Sequence, residues 1–97
     1  MTGYVLSPRA IEDLSEVWDF SADRWGADQA DRYVRQIATA CRDLAEDRRK
    51  GRDAGNIRAG YFRYEVGSHE VFYRIGEKRP MEVVRILHKR MDVERHL

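Results

Sequence analysis

The 97-residue sequence predicts an α+β fold with the element order β-α-α-β-β-β, a helical hairpin packed on one face of a small, mainly antiparallel sheet. Three observations lead to it. Two amphipathic helical patterns follow one another across a single glycine, Gly26. Three runs of strand composition then succeed each other between Ile57 and His88. The glycine-punctuated, polar stretch GRDAGN (51–56) separates the two regimes.

The opening YVLS (4–7) is short and apolar and reads as a strand stub. Ser7 stands where a helix needs a cap, and Pro8 follows at the first helical position, where its missing N–H costs little. From Ala10 to Trp25, Ile11, Leu14, Trp18 and Trp25 recur at helical spacing with Ala22 between them, so they are expected to form the core-facing stripe. Glu12, Asp13, Glu16, Asp19 and Asp23 fill the remaining, solvated positions. Gly26 is placed to end this helix.

A second helix is expected from Ala27 to about Arg49, with Ala30, Tyr33, Val34, Ile37, Cys41, Leu44 and Ala45 on its apolar stripe. Its basic end, RRK (48–50), suits the negative pole of the helix macrodipole. The strand candidates are IRAGYFRYEVG, HEVFYRIG and MEVVRILH, turned by Gly67-Ser68 and by GEKRP (76–80). In the first, Phe62, Tyr64 and Val66 alternate with Arg63 and Glu65. In the last, Val84 and Ile86 are expected on one face and Val83, Arg85 and Leu87 on the other, as in a central strand whose opposite sheet face is partly open.

Length and composition suit one domain spanning residues 1–97. No apolar run approaches a membrane span and the N-terminus has no apolar segment of signal-peptide type, so a cytoplasmic protein without membrane contact is expected. Cys41 is the lone cysteine and has no internal partner for a disulfide. The net charge of +1 conceals a polarity. Residues 1–47 hold five Lys/Arg against ten Asp/Glu, whereas residues 48–97 hold thirteen against seven. A basic half attracts nucleic acid or an acidic partner, while the overall balance argues against non-specific coating of DNA.

None of the common nucleotide-binding, metalloprotease or hydrolase signatures occurs, and no cofactor is implied. His69, His88 and His96 do not have metal-ligand spacing, so no metal site is expected. The cluster RILHKRMDVERHL (85–97) is the candidate for chemistry. Phosphodiester cleavage needs a general base, a general acid and cations around the phosphate, which Arg85, His88, Arg90 and His96 could supply. Equally, Asp92 lies four residues from both histidines, where ordinary surface ion pairs form, and Met91, Val93 and Leu97 interleave as in a docked tail. Trp18 and Trp25 read most simply as core, although a domain this small leaves some aromatic surface for a partner.

The segments YVLSPRAIEDLSEVWDFSADRWG, QADRYVRQI, IRAGYFRYEVGSHEVFYRI and VVRILHKRMDVERHL together resemble the ParE-type toxins of the RelE/ParE superfamily over nearly the whole chain. The resemblance implies the same β-α-α-β-β-β fold. It also implies the toxic half of a bacterial type II toxin–antitoxin pair, neutralised by a ParD-like antitoxin. Such an antitoxin has a ribbon-helix-helix N-terminus and a disordered C-terminus that folds on binding, giving a heterotetramer or a larger assembly that meets operator DNA only through the antitoxin.

Within the superfamily one branch acts on DNA gyrase and the other cuts messenger RNA in the ribosome. Arg85 matches the strand arginine shared with the RNase branch, but the terminal tyrosine of that branch is missing after Arg90, and a net charge of +1 is low for docking among ribosomal phosphates. A gyrase-directed, non-enzymatic toxin is therefore expected, with Arg85, His88, Arg90, Met91, Arg95 and Leu97 contacting the target and no catalytic residues. Antitoxin contacts are expected at Leu14, Trp18, Tyr33, Ile37, Arg58 and Arg63. The alternatives are a ribosome-dependent RNase using Arg85, His88 and Arg90, and a co-repressor of little toxicity.

Overall fold

The computed structural model describes residues 3–76 and 80–97. The chain runs β1 (Tyr4–Leu6), α1 (Pro8–Trp25), α2 (Ala27–Ala45), β2 (Arg52–Asp53), β3 (Tyr61–Val66), β4 (His69–Arg74), β5 (Met81–His88) and α3 (Val93–His96). The five strands form one sheet in the order β1-β5-β4-β3-β2, antiparallel throughout except where β1 lies parallel to β5. The expected α+β architecture holds, with the two-residue β2 and the four-residue α3 added to it. Both additions are too short to leave a periodic signal. The expected GEKRP turn falls largely outside the described residues.

Ser7 caps α1 as its sequence suggests, its hydroxyl accepting the Ala10 N–H at 3.0 Å. Gly26 closes α1 and opens α2 in one step. With φ at +90° it turns its N–H back to the Ala22 carbonyl while its own carbonyl accepts from Ala30. The second helix stops at Ala45, short of the expected Arg49. Asp47 adopts a left-handed φ of +61°, and the Arg48 and Arg49 N–H groups fold back onto the Asp43 carbonyl, which halts the helical progression. The basic run thus leaves the helix axis, and the Arg48 and Arg49 side chains pair with the Asp43 carboxylate.

The core lies between the hairpin and the sheet, built from Val17, Ile37, Cys41 and Leu44 against Val71, Tyr73, Met81, Val83 and Ile86. The α2 stripe is as expected, with Ala40 joining it. The α1 stripe is corrected. Its buried residues are Ala10, Asp13, Val17 and Ser21, whereas Ile11 and Trp25 are 56% and 62% exposed. Small side chains let the helix approach the sheet closely, so the larger apolar residues are displaced to its flanks. Trp18 on one such flank donates its indole N–H to Asp31 of α2 at 2.8 Å.

The faces of β5 are also corrected. Phe72 pairs with Arg85 but Tyr73 pairs with Val83, so Val84 is the extra residue of a β-bulge. The bulge inverts the alternation, and Val83 joins Ile86 on the helix side instead of sharing a face with Leu87. The opposite sheet face is less open than expected. Phe72 is fully buried there beneath the Arg63 guanidinium, which lies 5.2 Å from the ring centroid and is clamped by both oxygens of Glu70.

Candidate interaction site around the β5 C-terminus

Pairing between β1 and β5 ends at Leu6 and Val83, leaving the rest of the β5 edge without a strand neighbour among the described residues. Helix α1 supplies the missing partners. The Ser7 hydroxyl donates to the Val84 carbonyl at 2.6 Å, and Asp13 Oδ2 accepts the Ile86 backbone N–H at 2.9 Å. The same carboxylate receives Arg85 Nε and Nη2 at 2.8 and 2.9 Å, while Arg85 Nη1 donates to the His96 carbonyl at 2.9 Å. Arg85 is only 8% exposed, and its charged hydrogen bonds to Asp13 raise its already high pKa. Its guanidinium is therefore occupied on three sides.

His69 and His88 are directly paired across β4 and β5, and their rings meet edge to face with centroids 5.2 Å apart. His88 Nδ1 accepts the Arg90 N–H at 3.1 Å, so a neutral ring carries its proton on Nε2. His69 Nδ1 lies 2.7 Å from the Tyr33 hydroxyl, which also accepts the Ser68 N–H at 3.0 Å and donates to the Val66 carbonyl at 3.1 Å. All three contacts are met together when His69 carries its proton on Nδ1 and donates it to Tyr33. Burial, reinforced by the neighbouring His88, pushes the His69 pKa down to about 4, so His69 is neutral at physiological pH. Burial likewise raises the Tyr33 pKa.

Phe20, His69 and His88 form a wall shared by two depressions. One, of about 360 Å³, is bordered by Arg85, Met91 and His96 together with Asp13 and Glu16. The other, of about 610 Å³, is bordered by Arg24, Trp25, Tyr33 and Arg90. Arg85 and His88 are thus neighbours as expected, but Arg85 is buried and paired, and Arg90 faces the second depression. Met91 is exposed in the first. Arg95 is exposed and borders neither, and Leu97 is half-buried with its carbonyl accepting from Arg58 at 2.8 Å.

Of the residues expected to meet an antitoxin, Leu14, Trp18 and Tyr33 are half-buried and Arg58 is exposed. Arg63 is engaged by Glu70. Ile37 is completely buried in the core and offers no surface, because the stripe that the sequence pattern identifies is the one facing the sheet. Sequence reasoning passed over Phe20, Arg24 and His69 as site residues. Phe20 and Arg24 sit off the apolar stripe of α1, and the meeting of His69 with His88 depends on a strand register that no local pattern encodes.

Among the described residues no group of His, Cys, Asp and Glu is arranged to hold a metal ion, and no helix is long and apolar enough to cross a membrane. Residues 4–93 match the family model described as ParE toxin of type II toxin-antitoxin system, parDE. The chain is 47% identical over 94 residues to Toxin ParE1 of Mycobacterium tuberculosis (strain CDC 1551 / Oshkosh), covering 97% of this chain and 96% of that protein. Toxin ParE1 of Caulobacter vibrioides is 42% identical over 97 residues, covering 100% of this chain and 99% of the relative. A solved structure described as the chromosomal ParDE TA system from P. aeruginosa has the same fold, with a TM-score of 0.76 over 91% of this chain and 96% of that chain at 18% identity.

Proposed function

The chain belongs to the ParE toxin family of type II toxin–antitoxin systems, and on that premise we propose that it poisons DNA gyrase as a protein ligand, without catalysis of its own. A ParD-like antitoxin holds it inactive. The observation that carries the choice of target is the state of Arg85. Phosphate-cleaving chemistry needs cations free to face the developing charge, and here the strand arginine is buried against Asp13 and the His96 carbonyl. Arg90 opens onto a separate depression, so the three residues of the RNase alternative do not share one open pocket.

The exposed side chains of Arg90, Met91 and Arg95 are the contacts for gyrase, with the half-buried His88 and Leu97 beside them in sequence. The antitoxin lies over the hairpin at Leu14 and Trp18, with Tyr33 at its edge. Its acidic segment meets basic groups that include Arg58 and the exposed part of Arg63. An initially disordered segment that folds on binding suits so extended a footprint.

A supercoiling assay with the purified chain tests the proposal. Inhibition with accumulation of cleaved DNA, relieved by antitoxin, is expected. Unchanged supercoiling and no cleavage complex overturn it. Ribosome-phased cuts in message from induced cells, lost in Arg85→Ala, would install the RNase reading instead.

A further inference from the structure

The larger depression has a chemistry that the toxin's own fold leaves unanswered. It lies between the end of α1, the start of α2 and the β3–β4 turn, with Phe20, Trp25 and Tyr33 as aromatic wall and Arg24 and Arg90 as cations. Phe20 and Trp25 are 53% and 62% exposed, although burial of either ring is strongly favourable. Arg24 lies over both rings, 5.2 and 5.5 Å from their centroids, holding them as one platform.

Among the described residues no carboxylate borders this groove, although Glu12, Glu16, Asp19 and Asp23 are exposed elsewhere on α1. All four arginines of the strands, Arg52, Arg63, Arg74 and Arg85, are paired with Asp or Glu. Arg24 and Arg90 have no carboxylate partner among the described residues. An aromatic floor between two unpaired guanidiniums is complementary to a large apolar side chain flanked by acids.

We propose that this groove receives an acidic segment of the target protein, seating one aromatic or large aliphatic side chain against Phe20 and Trp25 while Arg24 and Arg90 engage its carboxylates. The inference rests on the gyrase reading. What favours the target over the antitoxin is continuity, since His88 and Arg90 both join this groove to the C-terminal residues assigned to gyrase, whereas Tyr33 alone among its lining touches the margin of the antitoxin footprint.

Full-length Trp25→Ala, Arg24→Glu and Arg90→Glu, each checked for native circular dichroism, are compared with the unaltered chain for gyrase inhibition and antitoxin affinity. Each is expected to lose about tenfold or more in inhibitory potency, the scale of a central contact, with antitoxin affinity within about threefold. A second readout uses Trp18→Phe, in which Trp25 is the sole tryptophan. Its emission should shift to the blue when gyrase is added, as the groove fills.

Potency unchanged in all three variants, with no shift of Trp25 emission, overturns this inference alone. A parallel loss of antitoxin affinity assigns the groove to the antitoxin and also overturns it. An unaltered chain that leaves gyrase untouched overturns the functional reading together with the inference.

Discussion

The Asp13 carboxylate of α1 and the Arg85 guanidinium of β5 form a two-pronged ion pair, 72 residues apart in sequence, that also closes the exposed edge of the sheet. Breaking such a buried pair from one side leaves the other charge without compensation. Asp13→Ala is expected to cost about 3–5 kcal/mol by urea unfolding. Arg85→Ala should cost less, because Asp13 keeps the Ile86 N–H, whereas the reverse change orphans that N–H and leaves the guanidinium only the His96 carbonyl. Equal losses in the two variants would show that the strand edge does not depend on Asp13.

This pair also marks the limit of sequence reading. Hydrophobic period and glycine placement were enough for the hairpin and the three main strands, because those signals are local. Asp13 looked like one more solvated acid on α1, since nothing local announces that β1 stops at Leu6 and leaves Ile86 in need of an acceptor. Simple alternation puts Val83 on the wrong face for a related reason, as the bulge at Val84 is set by pairing with β4. At the site, the C-terminal cluster was visible as a set of residue types. Which of its arginines are free was not, because that depends on distant partners.

Tyr33 ties the hairpin to the β3–β4 turn through its hydroxyl, and Gly67 sits in that turn with φ at +57°. A Cβ at Gly67 would stand 2.7 Å from the Tyr33 ring, so Gly67→Ala combines a left-handed backbone with a steric clash. We expect it to cost about 2–3 kcal/mol, against about 1–2 for Tyr33→Phe, which only deletes hydrogen bonds. Chemical denaturation of both variants checks the ranking. A Gly67→Ala protein as stable as the unaltered one would mean that the turn adopts another geometry in solution.

His69 makes stability depend on pH. Its folded pKa, lowered to about 4 by burial and by His88, lies below the value of 6.5 for a free imidazole. Protonation therefore favours the unfolded chain. The contribution is fully present above pH 6.5 and declines as the pH falls towards 4. Because the ring is only partly buried, the loss from this residue is set at about 1–2 kcal/mol. The difference in unfolding free energy between pH 7 and pH 5 should shrink in His69→Gln. An NMR titration placing the His69 midpoint near 6.5 would refute the assignment.

Cys41 is 1% exposed in the α2 stripe, and burial pushes its thiol pKa up to about 12. The thiolate is the reactive form, so the native protein should resist thiol reagents at pH 8 and react promptly in urea. The rate of native labelling then reports opening of the hairpin from the sheet. Addition of antitoxin should slow it further if the partner clamps the hairpin shut. Immediate labelling of the folded chain would contradict the burial of this side chain.

The last residues separate folding from toxicity. Helix α3 buries no residue, and the tail is held to the body by the Arg85 bond to the His96 carbonyl and the Arg58 bond to the Leu97 carbonyl. Ending the chain at Asp92 removes both acceptors, but Arg85 keeps Asp13 and Arg58 is already exposed to water. The Arg58 bond is at a wet surface and the Arg85 bond is opened to water by the deletion, so together they amount to about 1–2 kcal/mol, far from enough to unfold the domain. The deletion removes Arg95 and Leu97 from the proposed gyrase surface while leaving the hairpin intact. Growth arrest and gyrase cleavage complexes are therefore expected to disappear, with antitoxin affinity and the unfolding midpoint nearly unchanged. A truncated chain that still arrests growth would move the poisoning surface away from the tail, whereas one that also loses the antitoxin would place both partners on the same end of the sheet.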